Sequence, residues 1–170
     1  SSVADVAEEL GMSPATVFKH FQSKTVLIDA LCERHIGRMI ARFSTMDVDA
    51  APPAKLGIVV ERLMLAHLQD IRENPFFLEM IFLMSAGELN SRDRYKQLIE
   101  TLFRDLIREG VDAGTYRCAD THTVSLHVAA AFATVLHPVF LADAKEEDLV
   151  RRCGGLVALV NAALQNPVAE

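Results

Sequence analysis

The sequence has no tryptophan, only two tyrosines against nine phenylalanines, and three cysteines with no C-x-x-C pair. Aromatics of that kind suit a core better than a wet recognition surface. Cys32, Cys118 and Cys153 are odd in number and far apart, which argues against a disulfide framework and suits reduced thiols in the cytoplasm. Cys118 and His122 stand at helical spacing, but no third ligand has matching spacing, so neither a metal nor a cofactor is expected. No Ser/His/Asp set, paired carboxylate or phosphate loop is legible, so no catalytic residue is assigned and an enzyme is not expected. The net charge of −6 excludes a surface basic throughout and confines any nucleic-acid contact to a local patch. The opening segment carries Asp5, Glu8 and Glu9 and no apolar run, so no secretory signal is expected in it. From Thr123 to Ala142 there is no Asp, Glu, Lys or Arg, a length of about 20 residues that would span a bilayer. That run holds Ser125, His127, His137 and Pro138, and no second one accompanies it. A buried or subunit-interface helix is expected, not a membrane span.

Helical periodicity dominates, and no strand-like alternation is sustained. Val26 to Met46 reads as a long helix with Cys32, Ile36, Met39, Ile40 and Phe43 on one face. Asp47 to Pro53 reads as a linker, followed by a helix from Ala54 to Glu73 with Leu56, Val59, Val60, Leu63, His67 and Ile71 aligned. Asn74-Pro75 separates it from a short apolar helix, Phe76 to Glu88. Ser91 to Ala113 is the cleanest amphipathic stretch, closed by Gly114. Asp120 to Ala142 and Glu146 to Leu164 read as a final helical pair. The fold class is all-α.

The chemistry is concentrated at the start. Val3, Val6, Ala7 and Leu10 give a first short helix one apolar face, with Ser2 and Asp5 as a capping-box variant. Gly11 supplies the positive φ needed to leave it, and Met12 reads as an apolar plug in the turn. Ser13 caps a second helix that has Pro14 at its first position, buried through Val17 and Phe21. Thr16, Lys19 and His20 occupy its other face, and no acidic residue lies between Gly11 and Lys24. Two short helices about a glycine turn, the second polar and basic outside, form a helix-turn-helix suited to the major groove.

The run V-A-x-E-L-G-M-S-P-A-T-V-F-K-H-F-x-S-K closely resembles the signature of the TetR family of bacterial repressors. E-G-V-D-A-G-T-Y-R, from Glu109 to Arg117, is a fainter likeness to a segment between two later helices of that family. The resemblance implies that Ser13, Thr16, Lys19, His20 and Lys24 contact bases or phosphates of a palindromic operator. Phe18 stands where the family usually has a tyrosine, so a ring edge replaces a phenol hydroxyl there. The family's supporting first helix has no counterpart in this sequence, which therefore reads as two-thirds of a head. Residues 1–44 would be the DNA-binding domain with the start of the connecting helix, and 45–170 an effector-binding and dimerisation domain. Arg34, Arg38 and Arg42 form a basic stripe on the connecting helix, expected to be a solvated face.

In that body, His67 and His127 are either polar anchors of a mostly apolar pocket or core histidines bonded to carbonyls. Leu63, Phe77, Met80, Met84, Phe103 and Phe132 would line the same pocket or simply fill the core. Ala129 and Ala133, with the stripe Leu149, Cys153, Leu156, Val160 and Leu164, are expected at a homodimer interface through the last two helices. The implied protein is a cytoplasmic regulator, a repressor released by a small, largely apolar effector. The alternative is a helical small-molecule-binding module without DNA binding.

Overall fold

The computed structural model describes residues 7–8, 11–16, 24–44, 48–74, 76–86 and 90–167, and among these there are helices and no strands. After short helical pieces at 7–8 and 14–16, seven helices follow. They are α1 (Lys24–Ser44), α2 (Pro52–Glu73), α3 (Phe77–Ala86), α4 (Asn90–Asp112), α5 (Thr121–Leu136), α6 (Pro138–Leu141) and α7 (Glu146–Gln165).

Helix α2 is the axis of the body and touches α3, α4, α5, α6 and α7. Its sequence explains this: Leu56, Val59, Val60, Leu63, Met64, His67 and Leu68 cover far more than one narrow stripe, and all are buried. Pro52 and Pro53 open this helix instead of lying in the linker expected there. In the first turn a missing N–H removes no intrahelical bond. Gly57 permits a close approach to α7, because a Cβ there would stand 3.2 Å from Val157 Cγ1. Phe103 of α4 and Phe132 of α5 are fully buried and stack with ring centroids 5.5 Å apart, joining the two helices at the centre of the core.

The helix expected from Asp120 to Ala142 breaks at His137. Asp120 starts it, accepting the N–H groups of His122 and Thr123. Pro138 then has no N–H to offer the Thr134 carbonyl, and its ring opposes helical continuation. Arg152 Nη1 reaches the Thr134 oxygen instead, at 3.4 Å, and the Phe140 N–H turns to His137 O at 2.9 Å. Among the described residues, Thr121–Leu141 is long and apolar enough to cross a membrane, with mean hydropathy 1.8. Its inner side, Ser125, Val128, Phe132, Val135 and Leu136, is buried against the rest of the body.

Helix α4 ends where Gly114 takes φ 71°, and the chain folds back so that Thr115 and Tyr116 both donate to the Gly110 carbonyl at 2.9 Å. Tyr116 then lies directly on Gly110, where a Cβ would come within 1.9 Å of Cδ2 of the ring. The ring has little freedom to move, since its hydroxyl donates to Asn161 Oδ1 at 2.6 Å and Asn161 Nδ2 donates to the Pro53 carbonyl at 3.0 Å. Gly110→Ala is therefore expected to lower the unfolding free energy by about 2 kcal/mol through overpacking. Urea denaturation checks this, and combining it with Tyr116→Ala should remove most of the penalty specific to Gly110→Ala.

Candidate functional site

At the amino end, the described backbone follows a turn between two helices. Gly11 has φ 64°, Gly11 N–H donates to Glu8 O at 3.0 Å and Met12 N–H to Ala7 O at 2.8 Å. Ser13 Oγ accepts the Thr16 N–H at 3.1 Å and shares a hydrogen bond with the Thr16 hydroxyl at 2.8 Å. Ser13 is thus a helix cap, exposed along with Pro14, and Thr16 is half-buried beside it. Met12 is 41% exposed, so it does not plug the turn. Phe18, Lys19 and His20, expected on the outer face of the second helix, lie outside the described residues, as does the Lys24 side chain at the start of α1.

Helix α1 leads from this head into the body and is held there by polar contacts. Arg42 Nη1 and Nη2 donate to Asp70 Oδ2 and Oδ1 of α2 at 2.7 and 2.8 Å, a bidentate fork across two helices. This corrects the expected solvated stripe at Arg42. Asp29 Oδ1 accepts the Ser91 N–H at 3.1 Å, so a carboxylate on α1 caps the first turn of α4, and Arg94 of α4 pairs with Glu33 of α1. Burial pushes the Asp70 carboxyl up, but Arg42, together with the imidazoles of His35 and His67, more than offsets this and holds it below its ordinary value.

Of the polar groups behind this fork, His67 was expected from the sequence, whereas His35 and Ser91 were not. His35 of α1 is buried with neither ring nitrogen bonded, and its ring meets Phe77 edge-on with centroids 4.8 Å apart. His67 is fully buried. Its Nδ1 donates to the Leu136 carbonyl at 2.8 Å, which is the carbonyl left open by the break before Pro138, and its Nε2 has no partner. Ser91 is buried beside the Cys32 thiol, and its Oγ has no partner at full hydrogen-bond geometry. Tyr95, one helical turn beyond Ser91, has its ring 6.5 Å from that of His67. A buried polar atom without a partner costs about 1–3 kcal/mol, so several on neighbouring helices call for a reason other than stability. The sequence signal that could have found them is the run of polar residues at apolar positions: His35 one turn after Cys32, and Ser91 one turn before Tyr95.

The residues expected to line one pocket separate into groups. Leu63, Phe103 and Phe132 belong to the main core, where the two phenylalanines stack on each other. Phe77 is buried with Cys32 and Ile81 in a second cluster, and Met80 packs against it. His127 points outward, so it is no anchor of an interior pocket, and the Met84 side chain is outside the described ones. His67 combines both readings offered for it, one nitrogen on a carbonyl and the other unbonded.

The expected dimer stripe faces the wrong way. Leu149, Cys153, Val160 and Leu164 are buried in the protomer's own core and Leu156, Ala129 and Ala133 are half-buried against it, because α7 needs these side chains to pack on α2 and α5. The outer face of α7 instead carries Gly154, Gly155, Ala158, Ala162 and Ala163, with Leu159 66% exposed, next to Ala130, Ala131 and Thr134 of α5. Between the two helices runs an open groove of about 360 Å³ lined by Val124, His127, Ala131, Leu159 and Ala163.

A glycine-turned helical pair carried on an all-helical body is the architecture of a helix-turn-helix regulator. The comparisons agree. Residues 1–31 match the family described as bacterial regulatory proteins of the tetR family, and residues 52–157 match the tetracyclin repressor-like C-terminal domain. The chain belongs to the TetR family. It is 23% identical over 182 aligned residues to an uncharacterized HTH-type transcriptional regulator, YerO, of Bacillus subtilis strain 168, an alignment taking in all of this chain and 62% of that protein. The chain thus spans less than two thirds of the length of that relative. No solved structure matches it.

Two outcomes follow. Burial lowers His35 and His67 from an ordinary 6.5 to about 4, each further lowered by nearby Arg42 and only partly countered by Asp70. The unfolded chain then binds protons that the folded one does not, so stability is complete above pH 6.5 and is lost as pH falls towards 4. For His67 the loss is roughly 3 kcal/mol, and urea midpoints taken at pH 7.5 and 4.5 would measure it. The Arg42 side chain is about one third exposed, which moderates the cost of breaking its pair. Arg42→Ala is expected to destabilise by about 2 kcal/mol, since it leaves the Asp70 carboxylate poorly solvated; Arg42→Ala with Asp70→Asn should recover part of that.

Proposed function

We propose that this protein is a transcriptional regulator that binds a palindromic operator as a homodimer and leaves it when a small molecule enters the body. The observation that carries this reading is the Ser13-capped helix after the left-handed Gly11 turn, within the stretch matching the tetR family. Lys19, His20 and Lys24 would supply the positive potential at the duplex, Thr16 and Ser13 neutral contacts, and Phe18 a ring edge over the backbone. Repression, by occupying a promoter, is the simplest consequence of such binding.

The second copy would sit on the outer faces of α5 and α7. Small side chains at Gly154, Gly155, Ala158 and Ala162 allow close helix approach, and Leu159 would enter the groove of the partner. Binding of such a dimer to a palindromic operator would need the two heads about one helical turn of DNA apart. Helix α1 would be the moving link: it joins head to body and is fastened to α2 by the Arg42–Asp70 fork, so a ligand that disturbs that region shifts both heads. A helical ligand-binding module without DNA binding is the alternative reading, and it predicts no affinity for the gene's own upstream DNA.

Full-length protein is expected to retard a fragment of its upstream region in a gel, with affinity falling steeply as salt rises. Lys19→Ala should weaken that binding by about tenfold; unaltered binding would exclude the assigned contact. Leu159→Glu should convert the dimer to a monomer in light scattering while the far-ultraviolet helical signal is kept.

A further inference from the structure

We propose, resting on the regulator reading above, that the molecule sensed by this protein is uncharged and carries a hydroxyl group, an alcohol or phenol on an apolar frame, held by His67, His35 and Ser91 between α1, α2 and α4. This narrows the small, largely apolar effector expected from the sequence to one that carries a hydroxyl. Four side-chain polar atoms are buried here without partners: His67 Nε2, both ring nitrogens of His35, and Ser91 Oγ. They come from α1, α2 and α4, beside the apolar cluster of Cys32 with Phe77 and Ile81 of α3, against which the ring of Tyr95 packs.

The hydrogen-bond polarity of the site follows from one contact. Because His67 Nδ1 faces the Leu136 carbonyl at 2.8 Å, Nδ1 carries the proton and Nε2 of the neutral ring can only accept. The ligand must therefore offer a donor to His67. His35 has no bonded nitrogen to fix its tautomer and can accept or donate, as can the Ser91 hydroxyl. A hydroxyl group matches this set, since it donates once and accepts twice.

Charge is selected against. Burial keeps both imidazoles neutral well below physiological pH. Asp70, the carboxylate that acts on both imidazoles, is engaged by both arms of the Arg42 guanidinium, so it offers a cation no uncompensated partner. A carboxylate would also face the Nε2 lone pair of His67. A bare hydrocarbon would leave all four polar atoms unsatisfied.

The test uses full-length protein labelled with nitrogen-15 in its histidines and three probes of similar size: phenol, toluene and benzoate. Phenol is expected to move the His67 Nε2 and His35 signals saturably and to raise the melting temperature, with affinity about tenfold above toluene. Benzoate should move neither signal. Ser91→Ala and His35→Phe, which leave the His67–Leu136 bond in place, should each narrow the gap between phenol and toluene. Equal binding of phenol and toluene, preference for benzoate, or imidazole signals untouched by any probe (a site filled by water only) would overturn the ligand class. A gel shift on the same preparation separates the two readings. DNA binding without a phenol response removes the ligand assignment alone. Phenol binding in a protein with no affinity for its upstream DNA leaves the site and removes the regulator.

Discussion

The hydrogen bond from His67 Nδ1 to the Leu136 carbonyl exists because Pro138 interrupts the helix that would otherwise use that oxygen. In an unbroken helix the N–H of residue 140 would take it; here that N–H turns to His137 and leaves the carbonyl facing α2. Filling it from His67 ties the central helix to the break in α5, sets the imidazole tautomer and leaves Nε2 bare in the interior. One turn further along α2, Asp70 receives Arg42 and so fastens the connecting helix to the same place. A proline, a histidine and an ion pair thereby put the joint between head and body beside a polar region of the interior.

In the proposed regulator, that arrangement would draw stability and sensitivity from the same groups. Helix α2 is packed by apolar side chains on most of its circumference, which makes it a rigid reference. Helix α1 has a different character. Cys32, Ile36 and Met39 bury it, but its fixed points are polar: Arg42 on Asp70, Asp29 at the start of α4, and Glu33 with Arg94. Polar contacts have defined directions and can be exchanged for contacts with a ligand at little net cost, whereas apolar packing resists partial displacement. A molecule that engages His35 acts on the helix that carries the head.

Much of this was legible along the chain. The periodicity of Leu56 to Leu63, the Gly11 turn, the Ser13 cap and the glycine after α4 each encode a local preference, and local preferences survive into the fold. What failed did so where two faces of one helix compete. Leu149, Cys153, Val160 and Leu164 form as clear a stripe as any, yet a stripe does not say whether its partner lies in the same chain or another. The protomer's own core took the larger side chains, and the small residues were left outside. The pocket residues divided for the same reason: Phe103 and Phe132 fill each other's space, and His127 falls on the outer side of α5.

The sequence by itself determined most of the helices, their order, the turn at the head and the family, because each depends on spacing within a few residues. Only the tertiary structure decided which polar side chains would end up unsatisfied together. His35, His67, Ser91 and the Arg42–Asp70 pair are separated by up to 56 positions in the sequence numbering, and nothing local distinguishes His35 from an ordinary helical histidine. The burial and missing partners that give these groups meaning belong to the packing of helices, and a linear pattern carries no information about which atoms a neighbouring helix will fail to reach.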